Sequence, residues 1–308
     1  MTNDMKRIIN NTKQLLPRKA DITFKGSLGR HLALTGSSRF PGAAGFPSLA
    51  ALKMGVDLPY LLLSPDRDLL LLTRMKSSDF MVSPLPSIDY TNISHKQSFK
   101  QHSSNKDAIV FGPGLSRIND PMYEHDLEAK TLFKNSVVCQ LKIIADSLSN
   151  ESHKIPIGKD RLILTPNERE FKHLNDAIPL IFDEIHEDHQ LMVLVKGDSD
   201  KIGHLSEKGF SVILKCDYEG GLKRCGGLGD CLTGVISTIL AWIEIKQRSK
   251  DAETTAHDYI NAVMTGCCIM REASKQAYNK HGISCVAENV IDEIPNARDI
   301  VLGDFINE

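Results

Sequence analysis

Arg224-Cys225-Gly226-Gly227-Leu228-Gly229-Asp230 leads through Cys231-Leu232-Thr233-Gly234 into an apolar stretch, Val235 to Trp242. Three glycines free the backbone, Asp230 stands where a helix should begin, and Lys223 and Arg224 place two cations just ahead. Such a turn can aim several peptide N–H groups and the positive end of a helix at one anion. The plain alternative is a helix preceded by glycines and capped by aspartate. It accounts for Asp230 but gives no reason for Gly220-Gly221, Gly226-Gly227 and Gly229, since glycine costs backbone entropy wherever its freedom goes unused. An acid beside bound phosphate points to phosphoryl transfer, with Asp230 as the base.

Around this run, short apolar segments recur between helical patterns. Strands are expected at His31–Thr35, Tyr60–Leu63, Ala108–Phe111, Leu141–Ala145, Arg161–Thr165 and Leu191–Val195, each ending near Gly, Pro, Ser, Asn or Asp. Helical spacing of apolar residues marks Gly45–Met54, Asp126–Cys139, Asn167–Leu174, Asp230–Trp242 and His257–Tyr278. Strands apolar on both faces, alternating with helices, predict a mostly parallel sheet in a doubly wound three-layer α/β/α sandwich.

In such sheets ligands collect where strands end and helices begin. Gly36-Ser37-Ser38, Gly112-Pro113-Gly114, Thr165-Pro166-Asn167 and Lys196-Gly197-Asp198 all fall at those ends. Each also has an ordinary reading. Asn167, with Glu170 three residues on, forms a helix cap, and Lys196 to Ile202 forms a hairpin turn. A lysine at a buried strand end costs desolvation unless paired, so Lys196 facing phosphate is the functional alternative to the bare hairpin. Gly112-Pro113-Gly114-Leu115-Ser116-Arg117 lacks the third glycine of a dinucleotide fingerprint, and no GxxxxGK[ST] loop occurs.

The chain has 308 residues, 41% of them hydrophobic, enough for a full core within one domain over 1–308. The balance of 37 Lys plus Arg against 39 Asp plus Glu leaves a net charge of −2, which argues against nonspecific nucleic-acid binding and favours a nucleotide as ligand. Seven cysteines without a CxxC pair make neither a disulfide framework nor a zinc site, so a reducing, cytoplasmic setting is expected. No membrane partner is expected, because no segment is read as the roughly 20 apolar residues that span a bilayer. His186-Glu187-Asp188-His189 lacks the histidine spacing of a zinc helix and reads as a solvated face. Cys267-Cys268 reads as helix packing. Cys225 and Cys231, beside the opening run, are candidates for reactive thiols without an evident base.

Taken in order, the motifs resemble the ATP-dependent (S)-NAD(P)H-hydrate dehydratase family, within the ribokinase-like fold. The resemblance runs from Lys25-Gly26-Ser27-Leu28-Gly29-Arg30 through Gly112-Pro113-Gly114-Leu115, Leu164-Thr165-Pro166-Asn167 with Glu170-Phe171, and Lys196-Gly197 with Asp200, to Arg224-Cys225-Gly226-Gly227 with Gly229-Asp230. It covers about residues 20 to 295. The Arg-Cys-Gly-Gly form resembles the eukaryotic, ATP-using members. The resemblance implies repair of NADH and NADPH hydrated on the nicotinamide ring: ATP phosphorylates the ring hydroxyl, and elimination of phosphate regenerates the reduced cofactor.

By the same resemblance Asp230 is the catalytic base. Hydrated NAD(P)H lies near Gly114, along Asn167, Glu168, Arg169, Glu170, Phe171, Lys172 and His173, and at Asp230. ATP, with magnesium as counter-ion, lies against Lys196, Gly197, Asp198, Ser199 and Asp200 and against Gly220, Gly221, Leu222, Lys223, Arg224, Cys225, Gly226, Gly227, Leu228 and Gly229. The chain departs from the family at Leu228, where a polar residue is usual, in Phe40-Pro41-Gly42-Ala43-Ala44, which matches only at Gly42-Ala43, at Ser116, which replaces a glycine, and in Ile144-Ala145-Asp146, which keeps only the second aspartate of an Asp-Ala-Asp segment. Two other readings remain open: a ribokinase-like kinase of a small alcohol, and a nucleotide-binding regulatory protein derived from the enzyme. A homo-oligomer is expected from the open edges of such sheets.

Overall fold

The computed structural model describes residues 1–84, 102–103, 105–114, 137–139, 162–172, 191–206, 209–250 and 254–307. Its strands are β1 (Arg30–Leu34), β2 (Leu58–Leu63), β3 (Met81–Pro84), β4 (Ala108–Phe111), β5 (Val137–Cys139), β6 (Leu162–Leu164), β7 (Leu191–Val195), β8 (Asp200–Ser206) and β9 (Gly209–Cys216). They form one nine-stranded sheet in the order β3-β2-β1-β4-β5-β6-β7-β8-β9. Every pair from β3 to β7 is parallel; β7–β8 and β8–β9 are antiparallel. The mostly parallel sheet is as expected, and so is the hairpin after Leu191–Val195.

The long described helices are α1 (Asn3–Gln14), α2 (Pro41–Met54), α3 (Arg67–Lys76), α4 (Leu228–Lys250), α5 (Ala256–His281) and α6 (Ala287–Leu302). The apolar run after Asp230 becomes the centre of the fold. Val235, Ile236, Ile239, Leu240, Trp242 and Ile243 of α4 are buried with Met54 of α2, Val110 of β4, Ile163 of β6 and Leu194 of β7. Tyr259, Ile260, Met264 and Ile269 of α5 join the same cluster. On the sheet's other face Leu32, Leu34, Ile109 and Phe111 are equally buried, so β1 and β4 at its centre are covered on both faces. Cys267 and Cys268 lie in this core, as their neighbours suggested.

Several expectations need correction. Val137–Cys139 is a strand, not the end of a helix over Asp126–Cys139: Val137 pairs with Ile109 on one side and Leu162 on the other, and cross-strand pairing outweighs the helical spacing. By length and composition Leu228–Arg248 could cross a membrane, contrary to the sequence reading, but here it is a core helix. Helices α1, α3 and α6 and strands β3 and β9 were not anticipated, although α1 has its signal in Met5, Ile8, Ile9 and Thr12 on one face and a Thr2 cap. The expected strand at Leu141–Ala145 and the His186–His189 stretch lie outside the described residues.

Candidate active site

The sheet order reverses between β1 and β4: the chain passes outward from β1 to β3 and then crosses back to β4. Ligands in open α/β sheets bind at the carboxyl ends beside such a reversal. Here the two strand-end loops are tied to each other. Gly36 N–H donates to the Pro113 carbonyl at 2.7 Å, and the Ser37 hydroxyl donates to the Gly114 carbonyl at 2.8 Å. Gly114 therefore sits at a rim made by both loops, packed near Ala43 at the start of α2.

The next rim is built by the ends of β6 and β7. Asn167 Oδ1 accepts from the N–H groups of Arg169 (3.0 Å) and Glu170 (2.9 Å), and Glu170 Oε2 accepts from Asn167 N–H at 2.8 Å, a reciprocal cap that starts a helical turn. The cap predicted from sequence is thus present, and it fixes Asn167 where its backbone bridges to Lys196. Lys196 N–H donates to the Pro166 carbonyl at 2.8 Å, carrying the pairing of β6 and β7 one step past their ends. Burial lowers the Lys196 pKa, while the carboxylates of Glu170, Asp230 and Asp200 oppose the shift. This half-buried ammonium lies in the common field of three acids drawn from three separate sequence motifs.

The opening run lies across from this turn. Helix α4 begins at Leu228, so Asp230 is its third residue instead of its cap. The N–H groups of Asp230 and Cys231 both donate to the Gly227 carbonyl at 3.0 Å, which leaves Leu228 and Gly229 in the open first turn. Two of the glycines have packing reasons that the sequence did not disclose. Gly227 has φ +91°, and a Cβ there would meet the Phe46 ring at 2.6 Å; a Cβ on Gly221 would meet the Ser274 carbonyl oxygen at 2.4 Å. Gly226 meets nothing within 4 Å. Packing therefore accounts for Gly221 and Gly227, while no neighbouring atom accounts for Gly226.

Between the two walls lies a cleft of about 660 Å³. Of the residues expected to meet ATP, Lys196, Gly197, Asp198, Asp200, Gly220 to Cys225, Leu228 and Gly229 line it, joined by Asn167 from the expected substrate segment. Ser199, Gly226 and Gly227 are not among its lining residues; Ser199 instead donates to the Cys216 carbonyl at 2.7 Å. Lys223 donates to the Ile283 carbonyl at 2.5 Å, and Arg224 pairs with Asp198 at the exposed mouth, so both cations already hold partners. Phe171 packs edge-on against Phe210 of β9, 5.0 Å between ring centres; Glu168, Arg169 and Lys172 are exposed, and His173 lies outside the described residues.

Helix α5 supplies lining residues that sequence reasoning missed: Cys267, Met270, Arg271 and Ser274. Their one available signal was a charged residue, Arg271, following an apolar helical stretch. Among the thiols, Cys231 is fully buried and its pKa is pushed up by that burial, which removes it as a reactive candidate. Cys225 donates to the Cys285 carbonyl at 3.0 Å. Cys216, Cys225, Cys231, Cys267, Cys268 and Cys285 are all free thiols.

A parallel sheet closed by an antiparallel hairpin, with a glycine-edged cleft at its carboxyl rim, defines a ribokinase-like α/β protein. Solved structures agree on the fold. A ribokinase-like superfamily protein from Enterococcus faecalis superposes with a TM-score of 0.66 at 15% identity, covering 95% of this chain and 94% of the other. The ADP/ATP-dependent NAD(P)H-hydrate dehydratase of Bacillus subtilis, co-crystallised with ATP and Mg²⁺, superposes with a TM-score of 0.64 at 19% identity, covering 95% of this chain and 97% of the other. The family model described as NAD(P)H-hydrate dehydratase matches residues 31–296, and the chain belongs to that family of enzymes. A relative from Entamoeba histolytica named ATP-dependent (S)-NAD(P)H-hydrate dehydratase is 27% identical over 94% of this chain and 93% of its own length.

Proposed function

We propose that the protein uses ATP to dehydrate (S)-NAD(P)H-hydrate to NAD(P)H, releasing ADP and phosphate. The observation that carries this reading is the convergence of the Lys196–Asp200 turn and the Gly220–Gly229 loop on one cleft, with Asp230 in the helical turn that forms its edge. ATP would lie in the cleft. The first turn of α4 offers the N–H groups of Leu228 and Gly229 and the positive helix end to the transferring phosphoryl group. The hydrate would approach from the Gly114 rim and the Asn167–Glu170 turn, on the side where Lys196 faces Glu170 and Asp230.

Asp230 takes the proton of the ring hydroxyl as its oxygen attacks the terminal phosphorus of ATP, and ADP leaves. The ring C–O bond then breaks, the electron pair departing with phosphate as the ring nitrogen lone pair forms the new conjugation and a ring proton is lost. Hydroxide is a poor leaving group and phosphate a good one, which is why ATP is consumed. Lys196 steadies the charge gathered near Asp230, and Leu228 contributes its backbone alone where a polar side chain is usual in the family. Most of the acceleration in such a transfer comes from positioning and charge stabilisation.

Magnesium, when bound, would neutralise the ATP phosphates and polarise the terminal phosphorus. The residues fit an ion carried by the nucleotide: Asp198 borders the cleft at its exposed mouth, and among the described residues no group of three or more His, Cys, Asp or Glu forms a cage. The decisive test is to incubate the protein with hydrated NADH, ATP and Mg²⁺ and follow the return of reduced-nicotinamide absorbance. Recovery with stoichiometric ADP and phosphate is expected. ADP formation with a stable phosphorylated product would point instead to a kinase, and ATP binding without turnover to a regulatory protein.

A further inference from the structure

Among the described residues two arginine–aspartate ion pairs join the walls of the cleft, and they differ in their exposure. At the mouth Arg224 pairs with Asp198, with side chains 66% and 99% exposed, where water screens the charges. At the back Arg271 of α5 pairs with Asp200, with side chains only 16% and 10% exposed. Arg271 Nε donates to Asp200 Oδ2 at 2.8 Å, its Nη2 to the Gly197 carbonyl at 3.1 Å, and its Nη1 to the Tyr218 carbonyl at 3.2 Å. Asp200 Oδ1 in turn accepts from Gly197 N–H at 3.1 Å. One guanidinium thus grips both polar groups of the Gly197 backbone, one directly and one through Asp200. It also holds the exit of β9 that leads to Gly220-Gly221.

The rest of α5 supports the same arrangement. Ser274 accepts from Gly221 N–H at 3.0 Å and donates to the Arg271 carbonyl at 2.9 Å, so the second wall is anchored one turn from the guanidinium. The side chain is planar and forked, and only that shape reaches three acceptors in three directions. We infer that Arg271 is a positioning residue for the nucleotide: it sets the spacing between the Lys196–Asp200 turn and the Tyr218–Gly221 wall that ATP must bridge. This deepens the ATP reading of the cleft and rests on it.

The test separates geometry from charge balance. Arg271→Met alone strands a buried carboxylate and endangers folding, so the working variants are Arg271→Lys and the double variant Arg271→Met with Asp200→Asn. Thermal midpoint, ATP affinity by calorimetry, and KM for ATP and for the NADH hydrate are measured on each. Both variants should raise the ATP KM and Kd about tenfold or more, leave the hydrate KM within about twofold, and keep a cooperative thermal transition. Wild-type ATP affinity in the double variant would show that Arg271 only balances Asp200 and would overturn the inference. An equal rise in both KM values would overturn it too, as a sign of general distortion. A wild-type protein that binds no ATP would instead remove the nucleotide reading of the cleft, a different failure with a different signature.

Discussion

Helix α4 has two ends with different duties. Its first turn, Leu228 to Asp230, is half-buried at the lip of the cleft and bonds back to Gly227. Its body, from Gly234 to Ile243, is buried against α2 and the sheet. In sequence the two parts form one continuous motif of glycines, polar residues and apolar residues. In the fold one part presents groups to a ligand and the other fills the core. Substitutions in the first should cost chemistry at little cost in stability, and substitutions in the second should do the reverse.

The strongest test of that contrast is Asp230→Asn. It removes the proposed base while keeping size and the backbone bonds to Gly227, so turnover should fall by about 10² to 10⁴, with the thermal midpoint near that of the wild type. NADH recovery that survived the change would place the base elsewhere.

The opposite prediction concerns Gly234, one turn further along. A Cβ there would stand 2.1 Å from the Pro47 carbonyl oxygen, a backbone atom that cannot yield unless α2 and α4 separate. Gly234→Ala should therefore destabilise the fold by about 3 kcal/mol, read as a lower urea midpoint. Whatever fraction remains folded should keep its KM for ATP; a large rise in that KM at unchanged stability would break the division between the two ends.

Much of this was legible in the sequence because the deciding interactions are local. The Asn167–Glu170 cap spans three residues, the Lys196 turn closes a hairpin, and the glycine run adjoins its helix. The parts that were not legible depend on distant partners. Arg271 reaches Asp200 across 71 positions, and its place after the apolar stretch of α5 does not disclose that distant partner. Gly227 looks like a ligand glycine until Phe46 of α2 is seen against it. Val137–Cys139 has helical spacing, and only its two neighbouring strands make it β5.

A smaller effect lies in the core seam between β1 and α4. His31 is fully buried, its Nδ1 3.1 Å from the Ser237 hydroxyl, and its Nε2 has no hydrogen-bond partner. Burial lowers its pKa from 6.5 to about 3, so the folded protein keeps the ring neutral. As pH falls below 6.5 the unfolded chain takes up the proton first. The contribution of this neutral ring is thus complete above that pH and declines from there towards pH 3. The slope is about 1.4 kcal/mol per pH unit, or roughly 2 kcal/mol lost at pH 5. Urea melts at pH 7.5 and pH 5 should show that loss, and His31→Leu should flatten the difference. An unchanged difference would mean that the acid sensitivity arises from other groups.

The smallest expected effect is also the most discriminating, because it falls at the junction of the two ends. Gly226 and Gly227 are adjacent, but a Cβ on Gly227 meets the Phe46 ring while a Cβ on Gly226 meets open space. Gly226 is also absent from the positive-φ glycines, so alanine suits its backbone. Gly226→Ala should shift stability by less than about 1 kcal/mol and in the favourable direction, since alanine narrows the unfolded ensemble. If the glycine is there so that bound phosphate can approach the backbone, the KM for ATP will rise although the fold is intact. If the KM stays constant, the ligand does not reach Gly226, and the functional end of the run contracts to Leu228, Gly229 and Asp230.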